Sequence, residues 1–195
     1  ASLSDLGYAI EWRVINASDF GMPQKRKRVY IMAYRKNTPV FKKIKKLHKL
    51  NLSSNWIFND GLMQNAFPMN FNDMFANSFN IDGSVEDISE NTELFNTARR
   101  PFANTGLIIG RQVFTAKGEA SFDGEHSVLG DIVEKDEDKI PEEFYLDESS
   151  LEEWKKAKNA KSIPRVSKDG YEYNYSEGKM SFPDSLNKPS RTIVT

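Results

Sequence analysis

Two β-rich runs flank a short loop near the start of the chain, and this pattern constrains the fold more than any other feature. Residues 8–15 and residues 29–34 are mostly apolar, β-branched or aromatic. Gly21 and Pro23, which lie between them, mark a turn. The pattern predicts two paired strands that are joined by a tight loop.

The loop between the two predicted strands ends in alternating cations. Gln24, Arg26 and Arg28 are spaced by two, so an extended chain places them on one face, with Lys25 and Lys27 on the other. Two guanidinium groups on one face suit a phosphate, a carboxylate or a base carbonyl. A solvated basic turn and a targeting-type basic cluster are the two alternatives.

The segment from residue 16 to residue 28 resembles motif VIII of the DNA (cytosine-5) methyltransferases, in which Gln-x-Arg-x-Arg follows an Asn-Ala-x-Asp-Phe-Gly-x-Pro loop. The matching positions are Asn16, Ala17, Asp19, Phe20, Gly21, Pro23, Gln24, Arg26 and Arg28. Residues 173–195 resemble the same family's motif IX. Residues 100–117 resemble the target-recognition domain of one bacterial subgroup, so the resemblance covers nearly the whole chain.

This resemblance implies an α/β fold: antiparallel edge strands of a Rossmann-like methyltransferase sheet, plus a small mixed α+β target-recognition domain. Residues 1–38 would end the catalytic domain. Residues 39–180 would form the target-recognition domain, and residues 181–195 would begin a truncated motif IX.

The resemblance also implies a reaction. The family flips a cytosine out of duplex DNA and passes a methyl group from S-adenosylmethionine to its C5 atom. Arg28 would then hold the O2 edge of the cytosine, while Arg26 would support that edge or a phosphate, with Gln24 beside them. Negative charge develops on the ring when C6 is attacked, and a fixed guanidinium near O2 would stabilise it.

The chain lacks the nucleophile of this reaction. The family adds a cysteine thiolate to C6, and the chain contains no Cys. The resemblance places the Pro-Cys motif, the cofactor loop and the Glu-Asn-Val motif upstream of motif VIII. We therefore expect an enzyme fragment, either an expressed domain or a truncated reading frame, that is inactive alone. Its partners would be the missing N-terminal catalytic portion and double-stranded DNA.

Sequence reading is expected from the loops around residues 104–117, because side chains there can contact base edges or phosphates. The candidate DNA-binding residues are Asn104, Arg111, Gln112, Thr115, Lys117 and Arg191. With no Cys and only two His, a metal site is not expected.

Charge is segregated along the chain. Residues 20–59 contain 11 Lys or Arg and no acidic residue, whereas residues 118–153 contain 14 Asp or Glu and two Lys. Such a chain can present a cationic face to phosphate, although two ordinary solvated faces would have the same composition. There is no long apolar run and no cationic-then-apolar leader, so we expect a cytoplasmic protein. The resemblance implies that it would be a bacterial one.

Hydrophobic spacing predicts the remaining elements. Helices are predicted at residues 2–6 and at residues 40–50, the second with a basic face. A third helix is predicted to be capped by Ser149 and to contain a Glu152–Lys156 pair. A further helix is allowed by the spacing of four between Phe67, Phe71, Phe75 and Phe79. Strands are predicted at residues 106–110, 112–117, 128–133 and 171–175.

Two other functional classes fit the same residues. The first is a non-catalytic DNA-binding or pseudo-enzyme module, which the absence of Cys favours. The second is a structural protein whose basic and acidic segments mediate self-assembly. A DNA reader loses affinity steeply with added salt, whereas an assembly protein gains mass with concentration in the absence of DNA.

Overall fold

The computed structural model describes residues 2–84, 86, 101–168 and 170–192 of the chain, although the side chains of residues 72–75 and 177 are not described. The chain divides into two compact units, residues 1–126 and residues 127–195. The predicted domain boundaries after residues 38 and 180 stay a prediction.

The first unit is built on a five-stranded antiparallel sheet. Its strands are β1 (Tyr8–Asn16), β3 (Lys27–Arg35), β4 (Met69–Asn80), β5 (Thr105–Ile109) and β6 (Gln112–Ala120), in the order β3-β1-β5-β6-β4. A two-residue strand, β2 (Gln24–Lys25), precedes β3. β1 and β3 pair along their whole length, from Tyr8 opposite Arg35 to Asn16 opposite Lys27. The predicted strand pair is therefore confirmed.

Short helical segments complete the first unit: α1 (Ser2–Asp5), α2 (Pro39–Lys49), α3 (Ser53–Asn55), a π-helical turn (Trp56–Asp60), α4 (Leu62–Ala66) and a 3-10 turn (Ala17–Phe20). Helix α2 confirms the predicted basic helix. The hydroxyl of Thr38 accepts a hydrogen bond from the Phe41 N–H and caps its start. Ile44 on its apolar side is fully buried, and its five lysines are exposed.

The two faces of the sheet carry separate hydrophobic clusters, since successive side chains of a strand point to opposite faces. One cluster contains Ala9, Tyr34, Ile44, Trp56 and Leu107, and helix α2 covers it. The other contains Trp12, Ile81 and Val113.

A buried polar network lies under the first cluster. Glu11 and Arg13 of β1 are 1% and 0% exposed, and sequence reasoning missed both. The Glu11 carboxylate accepts hydrogen bonds from Tyr34 Oη at 2.6 Å and from Trp56 Nε1 at 3.0 Å. The Arg13 guanidinium donates to the carbonyl oxygens of Ile57, Met63 and Phe67, the last through a short contact. Burial lowers the pKa of Arg13 to about 10, against the opposing effect of Glu11.

The helix that the phenylalanine spacing allowed does not form, because Phe71, Phe75 and Phe79 lie in strand β4. A spacing of four fits one face of a helix, but it is also an even number and so fits one face of a strand. The ladder between β4 and β6 shifts register between Phe71 and Ala76. Phe71 consequently packs against the first cluster and Phe79 against the second.

The second unit contains α5 (Leu129–Ile132), 3-10 turns at Glu137–Lys139 and Glu142–Phe144, α6 (Glu148–Lys158), β7 (Lys161–Val166), β8 (Glu172–Glu177) and the two-residue β9 (Ser190–Arg191). The strand predicted at residues 128–133 is wrong. A short helix forms there because Asp131 Oδ2 accepts a hydrogen bond from the Val128 N–H, a local bond that competes with strand pairing.

Helix α6 is confirmed, but both of its predicted stabilising contacts differ. Asp147 rather than Ser149 caps it, with Oδ1 accepting from the Ser150 N–H at 2.7 Å. Glu152 pairs with Lys155 at 2.9 Å and not with Lys156. Among the described residues, no helix is long and apolar enough to cross a membrane.

Candidate functional site

The candidate site is the segment from residue 16 to residue 28, which connects β1 to β3 and is called the arginine loop below. Asn16 ends β1, and its Nδ2 donates to Ser18 Oγ and to Asp19 Oδ1, both at 2.8 Å. The Ala17 N–H donates to the Arg26 carbonyl at 3.0 Å, which closes the base of the loop. These bonds order the first turn of the loop and connect its two ends.

Gly21 ends the 3-10 turn of the arginine loop. Its φ of 84° lies in the left-handed region, and its N–H donates to the Ala17 carbonyl. A Cβ at this position would lie 2.5 Å from the Glu125 carbonyl oxygen and 2.9 Å from the Phe122 ring. Only glycine therefore fits this turn without displacing the neighbouring segment.

Aromatic rings hold the outer side of the arginine loop. The Phe20 ring packs edge-on against Phe67 and Phe122, with centroids 5.2 and 6.1 Å apart. Tyr30 of β3 stacks on Phe67 at 6.4 Å. The loop is thus anchored to the segments before β4 and after β6. Its cationic side chains therefore extend from a backbone that is held in place by packing.

The three residues that sequence reasoning assigned to catalysis lie where the arginine loop enters β3. Gln24 is half-buried, while Arg26 and Arg28 are exposed. Arg28 Nη1 donates to the neighbouring Lys27 carbonyl at 2.8 Å. Within the described part of the chain, neither guanidinium makes an ion pair with a carboxylate. Both remain able to bind an external anion or base carbonyl.

A cleft of about 440 Å³ lies beside the arginine loop within the first unit. Its lining includes Asn16, Asp19 and Lys27 of the arginine loop, Asn104 just before β5, and Glu119 of β6. Asn16 Oδ1 is buried and has no hydrogen-bond partner among the described residues. The cleft has the size and mixed polarity that suit a small polar group such as a nucleobase.

Two of the predicted DNA-binding residues, Asn104 and Thr115, form hydrogen bonds within the sheet. Asn104 Nδ2 donates to the Gly118 carbonyl at 2.7 Å, and its Oδ1 accepts from the Gly118 N–H at 2.9 Å. Thr115 is 3% exposed. Its hydroxyl donates to the Thr105 carbonyl and accepts from the Ala103 N–H, both at 2.8 Å. These contacts join β5 to β6, and the predicted DNA contacts of both residues stay a prediction.

Arg111 lies in the turn between β5 and β6 and binds the first helix. Its Nε and Nη2 donate to the two carboxylate oxygens of Asp5 at 2.6 and 2.7 Å, and Nη1 donates to the Gly83 carbonyl. The hydrogen bond lowers the pKa of Asp5 and raises that of Arg111. Its guanidinium is thus committed to intrachain partners in this conformation.

The other three predicted DNA-binding residues are more accessible. Gln112 begins β6 and is half-buried, and Lys117 of β6 is exposed. Arg191, in the second unit, donates from Nη2 to Ser181 Oγ at 3.0 Å and lies 3.9 Å from Asp184 Oδ1.

A family model matches most of the chain, and the matched range includes the arginine loop and strands β1 and β3. The model of C-5 cytosine-specific DNA methylases matches residues 1–181. The chain therefore belongs to the C-5 cytosine-specific DNA methylase family. The predicted resemblance is confirmed. The predicted α/β class is confirmed as a mixed fold with a mainly antiparallel sheet.

Several curated relatives are type II methyltransferases. M.Sau3AI of Staphylococcus aureus is 34% identical over 200 residues, which is all of this chain and 44% of the relative. M.MthTI of Methanothermobacter thermautotrophicus is 53% identical over 36 residues, 18% of this chain and 11% of the relative. M.NlaIV of Neisseria lactamica is 50% identical over 38 residues, 20% of this chain and 9% of the relative.

The chain therefore spans less than half the length of the curated relatives that it matches. No solved structure matches it.

Proposed function

We propose that this chain is the part of a DNA (cytosine-5) methyltransferase that supplies the arginine loop and the contacts to the target duplex. The observation that carries the proposal is the pair of exposed guanidinium groups, Arg26 and Arg28, on the strand–loop–strand segment that the family shares. The complete enzyme would transfer a methyl group from S-adenosylmethionine to C5 of a flipped cytosine, as part of a bacterial restriction-modification system.

The chemistry assigns Arg28 a role at the base. Attack of a thiolate at C6 places negative charge on the cytosine ring and its O2 atom, and a guanidinium held near O2 stabilises that charge. Arg26 would support the same edge or bind a flanking phosphate, and Gln24 would help to hold the loop that carries both. Because the chain contains no Cys, the thiolate comes from another part of the enzyme.

The described residues do not fit S-adenosylmethionine. Cofactors of this kind bind where a glycine-rich turn joins a strand to a helix. The connection from β3 to α2, residues 36–38, contains no glycine. We therefore assign cofactor binding to the remaining part of the enzyme and derive no step through the cofactor here.

The cationic part of the chain supports the proposed duplex partner. Residues 20–59 contain 11 Lys or Arg and no acidic residue, and the five lysines of α2 are exposed. Such a surface binds the phosphate backbone without reading sequence. Within the segment at residues 98–133, we propose that Gln112 and Lys117 contact DNA, while Asn104, Arg111 and Thr115 hold the strands that carry them.

Strand β3 supports the second proposed partner, the remaining portion of the catalytic domain. Within the described residues, β1 is the only sheet neighbour of β3. Val29 and Ile31 of β3 are 59% and 63% exposed. A nine-residue strand with exposed apolar side chains and one open edge is a site at which a further strand can pair. We propose that the rest of the methyltransferase sheet continues there, in a protein of the bacterial cytoplasm.

Methyl transfer tests the proposal. The complete enzyme should transfer labelled methyl from S-adenosylmethionine to duplex DNA, and this chain alone should not. Labelled duplex formed by the chain alone would contradict the assignment of nucleophile and cofactor binding to the remaining part.

The absence of Cys also favours a second candidate function, a non-catalytic DNA-binding module. Such a module would bind duplex DNA as the first candidate does, but a longer protein containing this chain would then transfer no methyl group. The labelled-methyl assay on that longer protein separates the two functions.

A further inference from the structure

The second unit contains a β-hairpin that is exposed on both faces. Strands β7 and β8 pair antiparallel over six residues each, from Lys161 opposite Glu177 to Val166 opposite Glu172. No third strand joins them within the described part of the chain. Next to the ladder, the Ser167 N–H donates to the Tyr171 carbonyl at 2.8 Å. The hairpin, residues 161–177, is therefore a formed two-stranded ribbon.

Large apolar side chains on this hairpin are open to solvent. Ile163 is 43% exposed, Val166 64%, Tyr171 72% and Tyr173 41%. A two-stranded hairpin is marginally stable in water by itself, and clustered exposed apolar groups mark interaction sites. The hairpin therefore has the features of a binding element that contacts a partner molecule.

One face of the hairpin combines tyrosines with a guanidinium. Ile163 lies opposite Tyr175 and Arg165 lies opposite Tyr173, so these four side chains share a face. The Arg165 Cζ atom is 4.1 Å from the centroid of the Tyr175 ring. A guanidinium that stacks through its flat face keeps its N–H edge free and loses little further freedom on binding.

Charge indicates which partner this face takes. Residues 154–192 contain nine Lys or Arg and four Asp or Glu, whereas residues 127–153 contain two Lys and 11 Asp or Glu. The hairpin therefore belongs to the basic half of the second unit. An anionic polymer such as duplex DNA matches this half, because its phosphates attract the cations while its base edges and sugars can contact the guanidinium and the exposed tyrosines. An acidic protein surface would account for the cations but not for the exposed tyrosines.

We propose that the β7–β8 hairpin enters the major groove of duplex DNA and that the Arg165 fork binds a guanine edge there. The inference rests on the proposed function, since it names the element that reads the duplex. The major groove is wide enough for a two-stranded ribbon, and Arg bound to O6 and N7 of guanine is the commonest specific contact. Tyr171 and Tyr173 lie beside the bases or sugars and exclude water from that contact.

The test uses the 195-residue chain and short duplexes that are randomised at their central base pairs. Duplexes selected by the unsubstituted chain are compared with scrambled duplexes in a competition assay. Arg165→Ala should lower the preference for selected duplexes by about 10- to 100-fold. Arg165→Lys should keep the affinity for scrambled duplexes but lose the same preference, because an ammonium group lacks the fork. Lys135→Ala, which removes one cation from the acidic segment, is the matched control and should change neither.

Protection of guanine N7 from alkylation in the selected duplexes gives a second readout, which should disappear in Arg165→Ala. Circular dichroism of each variant shows that the fold is retained, as expected for an exposed position. If the unsubstituted chain selects duplexes and both Arg165 variants behave like Lys135→Ala, the hairpin is not the reader and the proposed function stands. If the unsubstituted chain binds no duplex at any salt concentration, the proposed DNA contact falls, and this inference falls with it.

Discussion

Replacing Asn104 by Ala separates a structural role from a DNA-reading role. The Asn104 side chain makes two hydrogen bonds to the backbone of Gly118, at 2.7 and 2.9 Å. The substitution leaves one N–H and one C=O of β6 without these partners. Each buried backbone group that loses its partner costs about 1–3 kcal/mol, and water entering the vacated space offsets part of this cost. We expect the free energy of unfolding to fall by about 2–4 kcal/mol.

The assay is urea unfolding of the 195-residue chain followed by circular dichroism. Asn70→Ala is the matched control, because Asn70 is exposed on the neighbouring strand β4 and should change stability by less than about 0.5 kcal/mol. The competing account, in which Asn104 reads a base, predicts a loss of about 1–3 kcal/mol in discrimination between duplexes. Equal stability of the two variants together with lost discrimination would refute the structural role.

Three further predictions concern the arginine loop and the first helix. In the complete enzyme, Arg28→Ala should lower turnover about 10²-fold with little change in duplex affinity; single-turnover kinetics and a binding assay check this, and equal losses in both would make Arg28 a phosphate anchor. Gly21→Ala should lower the free energy of unfolding by about 1–3 kcal/mol, because a Cβ there meets the Glu125 carbonyl at a φ of 84°; an unchanged urea midpoint would contradict the strained-turn geometry. The pKa of Asp5 is lowered in the folded chain by its hydrogen bond from Arg111, so the stability that it contributes is present above its ordinary pKa of 3.8 and is lost as pH falls through the lowered value. Asp5→Asn should therefore be less stable than the unsubstituted chain at neutral pH and equal to it in acid, as measured by urea unfolding at several pH values; a constant difference would contradict the ion pair.

Local periodicity explains the parts of the fold that the sequence could predict. The β1–β3 pair, helix α2 and strands β5 and β6 contain apolar residues with one clear period, and β8 contains alternating tyrosines. Thr38 and Pro39, for example, mark the start of α2 in the sequence as they do in the structure.

The predictions of secondary structure and burial fail where the local sequence pattern is ambiguous or where contacts with a residue distant in sequence determine the structure. A spacing of four could not separate a helix from a strand at Phe71 and Phe79, and the register shift within β4 is set by pairing with β6. No local pattern marks Glu11 and Arg13 as buried, since each is a single charged residue within a strand-like run. They are buried because the turn around Trp56 and α4 folds over β1 and supplies their hydrogen-bond partners.

The residues of the candidate site likewise divide into those that local sequence could identify and those whose contacts it could not show. Gln24, Arg26 and Arg28 could be identified because the spacing of the arginine loop is a local property. Asn104, Thr115 and Arg111 are chemically suited to DNA, but sequence alone does not show that Gly118, Thr105 and Asp5 already accept their hydrogen bonds. The exposure of the β7–β8 hairpin likewise follows from the absence of a covering element among the described residues.

The affinity of the 195-residue chain for duplex DNA at several salt concentrations tests the central claim most directly. If the arginine loop, helix α2 and the basic half of the second unit contact phosphates, the logarithm of the binding constant should fall linearly with the logarithm of salt concentration. The slope should be about −0.9 per phosphate contacted, which amounts to at least several contacts in total. Affinity that does not depend on salt, or no binding at low salt with concentration-dependent self-association instead, would contradict the account.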